Sequence, residues 1–461
     1  MIRFYLITDY ILLFKIKNTM LNSQEIILLN NEQKIVISKL VEFANTNLTN
    51  DVFILKGSAG TGKTTIINEL QKCLCDLKIQ SILCAPTNRA ARIISEKTNS
   101  VAHTIHSLIF NAIELEDGII RFDLKNNTDK KFKIFIVDES SLIPKNNNLD
   151  SSFISNESLL NSFIKFIRDG NSRNKIIFIG DDYQLPPVKE YFSPALSKDF
   201  LEKNYKLNTE QFELTQVMRQ DENSKVLNLA TILRDSIRTN SSIDNFNIDI
   251  IKDEVSAYEN FLSFYDQDRF DSIKLICATN KSVNDWNNQV RKQLGFDNIL
   301  DVGDIIVAQK NSKSKCGISI SKGDFGKIVS VSDNYSKHAD LTFTNVKIKF
   351  ESSVSSKKIL EVKVLVDSLY TNYGSLNSNI EKGLIHYVNK HNPIYRESQN
   401  DSDDSLLGAL RIRHAYAITC HKAQGGEWDN VIICPSKWGI DTKWLYTSIT
   451  RARKTVHLFA A

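Results

Sequence analysis

The chain has no CxxC pair, and its seven cysteines are odd in number, so neither a disulfide framework nor a zinc site of paired thiols is indicated. A reducing cytoplasm fits that pattern. Net charge is also scarce: 58 basic against 54 acidic side chains give +4, which by itself does not point to nucleic acid. No apolar run is long enough to span a membrane. Residues 1–16 are apolar but broken by Arg3, Asp9 and Lys15, and no small-residue cleavage site follows. They are read as an N-terminal extension (1–24) without a targeting signal, and Met1 and Met20 are both candidate starts. No solenoid-type repeat occurs. What is present is ordinary globular composition, 42% hydrophobic and 24% charged, over 461 residues, a length that calls for two or three packed units.

Between residues 25 and 210 short apolar runs at 52–55, 81–85, 134–137 and 176–179 alternate with helical patterns, the signature of a parallel sheet covered on both faces. Residues 111–124 break the alternation. Apolar positions flank Asp117-Gly118, a strong turn dipeptide, and predict a projecting β-hairpin over about 110–125. A second α/β unit is expected in two parts, 211–300 and 406–461. The first part holds KLICATN (274–280), the second HAYAITC (414–420) and NVIICP (430–435). Between them, 301–405 carries β-rich runs with glycine turns, expected to form a small inserted β-barrel, then a polar stretch from about 371 expected to be an exposed excursion. Val283, Trp286, Val290 and Leu294 follow helical spacing, so Trp286 reads as core.

The strand-like VFIL runs into GSAGTGKTT, and Gly57, Gly62, Lys63 and Thr64 satisfy the G-x-x-x-x-G-K-[ST] pattern before a helix-like run. Such a loop wraps a phosphate with the backbone N–H groups of Gly57, Ser58, Ala59, Gly60, Thr61 and Gly62, continuing into Thr65. Lys63 reaches the β/γ-phosphates, and the Thr64 hydroxyl takes Mg²⁺. KIFIVDES places Asp138 and Glu139 at the carboxyl end of another strand, where ligands meet an open α/β sheet. Asp138 is the candidate metal ligand and Glu139 the candidate base for a water attacking the γ-phosphate. GDDYQLPPV, residues 180–188, ends a third strand at the same edge. It delivers Asp181, Asp182 and Gln184, whose neutral amide can sense a phosphate without competing for metal, on a loop stiffened by Pro186 and Pro187.

With APTNRAA (85–91), TIHSL (104–108), QVMRQ (216–220), HKAQGGEWD (421–429) and YTSITRARK (446–454), these segments resemble the ordered motifs of superfamily 1 helicases. Their texture is similar to the RecD and Dda branch, and the resemblance spans about residues 25–459. It implies two tandem RecA-like domains with ATP between them, a hairpin pin in the first and an SH3-like barrel in the second. It also implies an Mg²⁺- and ATP-dependent DNA helicase moving 5′ to 3′ on single-stranded DNA. Arg219 and Arg451 match the arginine fingers, Gln33 the glutamine that reads adenine, and Glu427 a residue near ribose or phosphates. The strand-binding face falls to Pro86, Thr87, Asn88, Arg89, Thr104, His106, Thr419, His421 and Lys422. His103 and His106 read equally well as structural histidines. Phe110 or Phe122 would stack at a fork, although hairpin aromatics more often pack on their scaffold. Two other readings remain: an RNA-directed helicase, and an ATP-switched DNA-binding subunit of a helicase–nuclease complex. Expected partners are single-stranded and forked DNA and proteins of replication, recombination or a nuclease complex.

Overall fold

The computed structural model describes residues 29–45, 51–114, 120–147, 153–155, 157–217, 224–241, 243, 246–351, 359–371, 376–436 and 441–460. The N-terminal extension, the Asp117-Gly118 turn and Arg219 lie outside the described residues.

Six parallel strands form the first sheet, in the spatial order Ala102–Thr104, Gln80–Ala85, Lys133–Val137, Lys175–Gly180, Val52–Gly57, Thr209–Leu214. Their continuous hydrophobicity has a direct cause. Val52, Ile54, Phe135, Val137, Ile176 and Phe178 enter the core on one face, while Phe53, Leu55, Ile134, Ile136, Ile177 and Ile179 enter the core on the other. A strand buried on both sides has no polar side to alternate with. The carboxyl ends of these parallel strands share one edge, so the loops after Gly57, Ala85, Val137 and Gly180 meet there.

The sheet runs to Leu214, four residues past the expected boundary at 210, because Val52–Gly57 pairs with Thr209–Leu214 along its whole length. The hairpin forms where predicted. Phe110–Glu114 pairs antiparallel with Ile120–Leu124, and Phe153–Ile154 adds a third strand.

A second parallel sheet takes the order Asp249–Ile251, Ala452–Phe459, Trp428–Cys434, Ile273–Cys277, Ala417–Thr419. The helix Asn280–Gln293 packs Val283, Trp286 and Val290 into its core, as their spacing predicts. The two sheets form the paired α/β, RecA-like architecture. Between them a five-stranded barrel closes when Phe325–Val331 pairs with both Ile305–Ala308 and Leu341–Phe350, the circuit completed by Ile359–Leu365 and Leu410–His414. The insert therefore ends at 414 and not at 405.

The stretch after 371 is not a loose excursion. Helices Ser378–His391 and Pro393–Ser398 bury Leu384, Ile385, Val388 and Tyr395 against Leu341, Phe343 and Leu365 of the barrel. Three apolar anchors on one face of the first helix and Tyr395 on the second suffice to dock this largely polar segment. No two of the seven cysteines are joined in a disulfide. Among the described residues no helix is long and apolar enough to cross a membrane.

The first domain, the barrel and the second sheet meet at one junction. The Arg89 guanidinium lies 4.5 Å from the Phe325 ring centre and 5.0 Å from that of Trp428, and the Lys274 ammonium lies 4.8 and 5.6 Å from the same rings. Lys274 is 2% exposed and donates to Ala415 O at 2.5 Å. Burial pulls its pKa down to about 7, with Glu351 opposing the fall and Arg89 adding to it. An unfolded lysine titrates near 10.4. The unfolded chain is then the more protonated between about pH 10.4 and 7, and the folded state loses stability as pH falls through that window. Thermal melts of Lys274→Met against wild type should therefore show the variant gaining by about 2–4 °C as pH falls from about 10 to about 7. A difference independent of pH would mean that the ammonium stays charged in the fold.

Candidate functional site

Between the strand Val52–Gly57 and the helix Lys63–Asp76 the chain makes a tight loop that uses positive φ at Gly60 (82°) and Gly62 (84°). The Thr61 hydroxyl donates to Ser58 O at 2.9 Å, and Lys63 Nζ donates to Gly57 O and Ser58 O at 2.8 and 3.1 Å. The lysine is thus folded over the loop, with Thr64 and Thr65 half-buried in the first helical turn. Gln33 braces the loop from outside. It is 2% exposed, its Nε2 donates to Thr61 O at 3.1 Å, and its Oε1 accepts from Asn30 N at 3.1 Å.

Asp138 and Glu139 emerge beside the loop. Burial raises the Asp138 pKa to about 6, the Glu139 carboxylate adds to the rise, and the Lys63 ammonium opposes it. Glu139 holds φ 51°, a left-handed conformation that costs a glutamate energy and concentrates at functional positions.

Asp181 is 1% exposed, and burial likewise raises its pKa against the pull of Lys63. Its Oδ1 accepts from Tyr183 N at 3.0 Å and its Oδ2 from the Tyr446 hydroxyl at 2.8 Å. Gln184 is buried, with Nε2 3.4 Å from Asp181 Oδ2 and Oε1 without a hydrogen-bond partner among the described residues. Asp182 pairs with Lys56 at 2.9 Å.

From the second domain, Arg234 on the helix Lys225–Thr239 places Nη1 3.4 Å from Ser58 Oγ. No motif marks Arg234, and only the fold brings it to the loop. Tyr446 lies inside YTSITRARK, but its reach to Asp181 depends on how the two domains meet. Arg451 is 4% exposed and donates to Thr447 O, Gly426 O and Thr450 Oγ1 at 3.1, 3.3 and 3.1 Å, all within its own domain. Glu427 is exposed and electrostatically coupled to Arg453.

A cleft of about 310 Å³ opens on the same edge. Pro86, Thr87 and His106 line it from the first domain, Pro187 and Val188 from the loop after Gln184, and His421 and Gln424 from the second domain. Phe110 and Phe122 from the root of the hairpin close one side; their rings lie 5.6 Å apart, and 5.9 and 5.5 Å from the His106 ring. Burial lowers the His106 pKa, which favours the neutral ring.

Other residues expected on the strand-binding face have structural engagements. Arg89 is not free to meet a phosphate, because its guanidinium is buried between Phe325 and Trp428. Thr104 caps the helix Ile105–Ile109 by accepting from Ser107 N at 3.1 Å, and Thr87 caps Asn88–Thr98 by accepting from Ala90 N at 3.2 Å. Asn88 reaches the barrel loop at Asn311 and Lys322, 3.4 Å to each. Lys422 donates to Gln309 Oε1 at 3.0 Å, and Thr419 begins the helix Cys420–Ala423.

Comparison with known proteins agrees with this layout. A family model described as an AAA domain matches residues 41–190, and one described as a UvrD-like helicase C-terminal domain matches 414–459. The ATP-dependent DNA helicase Dda of Enterobacteria phage T4 is 30% identical over 56% of this chain and 56% of its own. The RecBCD enzyme subunit RecD of Buchnera aphidicola subsp. Schizaphis graminum is 25% identical over 90% of this chain and 71% of its own. A Pif1 helicase from Bacteroides, in complex with ADP-AlF3 and ssDNA, shares the fold with a TM-score of 0.50 at 18% identity, covering 94% of this chain and 92% of its own. The chain is thus similar to superfamily 1 helicases of the RecD and Dda type. The chain spans 38%, 56% and 56% of the length of three of the curated relatives that it matches.

The loop is crowded at its last glycine. A Cβ on Gly62 would lie 2.3 Å from Gln33 Nε2, at a φ that L residues avoid. Gly62→Ala should weaken fluorescent ADP binding about tenfold or more while the protein still melts cooperatively. Unchanged affinity would show that the loop does not hold the nucleotide.

Proposed function

We propose that the chain is an ATP-dependent DNA helicase that moves along single-stranded DNA, 5′ to 3′, and opens the duplex ahead of it. The observation that carries this reading is the continuity of one loop. Asp181 and Gln184 begin it beside the phosphate loop, and Pro187 and Val188 end it in the cleft. Dda is an ATP-dependent DNA helicase by name, and the Bacteroides Pif1 structure holds ssDNA, which favours DNA as the strand in the cleft.

In this reading the loop amides and Lys63 bind the ATP phosphates. Thr64 and Asp138 suit Mg²⁺: a hydroxyl and one carboxylate at a strand end leave room for phosphate oxygens and waters, which a small hard cation prefers to an all-protein cage. Among the described residues no cluster of three or more His, Cys, Asp or Glu competes for that role. Mg²⁺ bound there neutralises charge on the phosphoryl oxygens. Glu139 takes the proton of the attacking water. Gln184 senses the γ-phosphate by donating from its Nε2 amide, held only loosely at 3.4 Å by Asp181 Oδ2, and Arg219 and Arg451 act as fingers when the domains close. Gln33 faces adenine beyond the loop it braces, and Glu427 faces the ribose.

The strand lies across Pro86, Thr87, His106 and His421, with bases against the Phe110 and Phe122 rings. The hairpin is the pin, and the barrel is an SH3-like guide. Forked DNA and proteins of replication, recombination or a nuclease complex are the partners, in a cytoplasm whose reducing poise suits seven cysteines without disulfides.

Short duplexes with a 5′ or a 3′ single-stranded tail, incubated with ATP and Mg²⁺, test the reading. The 5′-tailed substrate should open, and Lys63→Ala should slow opening about 100-fold or more. Opening only the 3′-tailed substrate would overturn the polarity. Strand-stimulated ATPase without opening of either would turn the reading to an ATP-switched subunit, and stimulation by RNA alone to an RNA-directed helicase.

A further inference from the structure

Tyr446 belongs to neither the phosphate loop nor the cleft, yet it touches the segment that joins them. It is 1% exposed on the helix Thr442–Ile449, its ring meets the Tyr183 ring edge-on at 6.2 Å, and its hydroxyl donates to Asp181 Oδ2 at 2.8 Å, with the Ala59 backbone beside it. The same helix holds the segment twice more: Thr447 Oγ1 accepts from Leu185 N at 2.8 Å, and Lys443 Nζ donates to Asp182 O at 3.1 Å. Gln424, which lines the cleft, donates to Leu185 O at 3.2 Å. Asp181 to Val188 is thus a short strut, stiffened by two prolines, with a buried carboxylate at one end, a cleft wall at the other, and the second domain gripping its middle.

We propose that Tyr446 is a positioning residue that ties occupancy of the cleft to hydrolysis at the phosphate loop, by fixing Asp181 relative to Ala59 across the domain boundary. This rests on the helicase reading above. A strand pressing on Pro187 and Val188 moves the strut, and the strut passes that movement to Asp181 only while the hydroxyl holds its carboxylate. Without the hydroxyl, Asp181 keeps the bonds from Tyr183 N and Gln184 within its own loop and loses its link to the second domain. Thr447 and Gln424 hold the same strut at Leu185, so transmission needs both grips and losing either one weakens it.

The test is the ratio of ATPase rate with oligothymidylate to the rate without it, measured for wild type, Tyr446→Phe and Thr447→Val, with thermal melts of each. Tyr446→Phe should lower the ratio by about tenfold, a coupling of ordinary size, and Thr447→Val should lower it in the same direction. A merely structural role would reduce both rates together and leave the ratio as in wild type, and that result in a Tyr446→Phe protein that melts cooperatively would overturn the proposal. If Tyr446→Phe fails to melt cooperatively, the Thr447→Val ratio decides in the same way. A wild type that is not stimulated at all would instead overturn the helicase reading, and the coupling with it.

Discussion

A carboxylate buried to 1% exposure needs donors, and Asp181 finds its strongest one in the other domain. A hydrogen bond to a charged group contributes about 1.5–3 kcal/mol, and a buried carboxylate stripped of its donors forfeits more than that. The Tyr446 contact therefore does two things at once. It makes the first domain's loop conformation depend on where the second domain sits, and it brings the second domain within reach of the phosphate loop, where Arg234 meets Ser58. Further cross-domain bonds from Thr447, Lys443 and Gln424 hold the same loop.

The opposite edge of the interface is built on different physics. Arg89 meets the Glu351 carboxylate at 4.0 Å and two aromatic rings, so the cation is held by ring faces as much as by charge. Lys274 adds a second cation to the same rings, and burial discharges it towards neutrality. Arg92 pairs with Asp324 on the barrel, which fixes the same helix a turn further on. A junction of this kind resists sliding, because rotating any one unit pulls a cation off its rings. The hydrogen-bonded contacts at Asp181 to Leu185 can be remade at small displacement. The two halves of the interface thus suit a hinge with one stiff side and one switchable side.

Much of this was legible in the sequence because the chemistry is contiguous. The phosphate loop, Asp138-Glu139 and Asp181 to Pro187 each follow an apolar strand directly, and a parallel sheet must bring such strand ends together. The hairpin and the barrel strands were legible for the same reason, through alternation and glycine turns. What escaped was set by partners distant in the chain. Arg89 reads as a phosphate ligand until Phe325 and Trp428 close over it, and Arg234 has no local mark at all. The helical cap after 371 hides four apolar anchors in polar sequence. The boundaries at 210 and 405 fall short because Thr209–Leu214 and Leu410–His414 are edge and closing strands whose membership depends on pairing alone.

The central claim is that nucleotide chemistry at the phosphate loop and grip on a strand in the cleft are one equilibrium, joined through the loop from Asp181 to Val188. Fluorescence anisotropy of a labelled oligothymidylate, titrated with protein alone and with saturating ADP and aluminium fluoride in Mg²⁺ buffer, tests it most directly. The account predicts that the two affinities differ by about fivefold or more, and by linkage that the oligonucleotide shifts nucleotide affinity by the same factor. Equal affinities, with both ligands demonstrably bound, would contradict it.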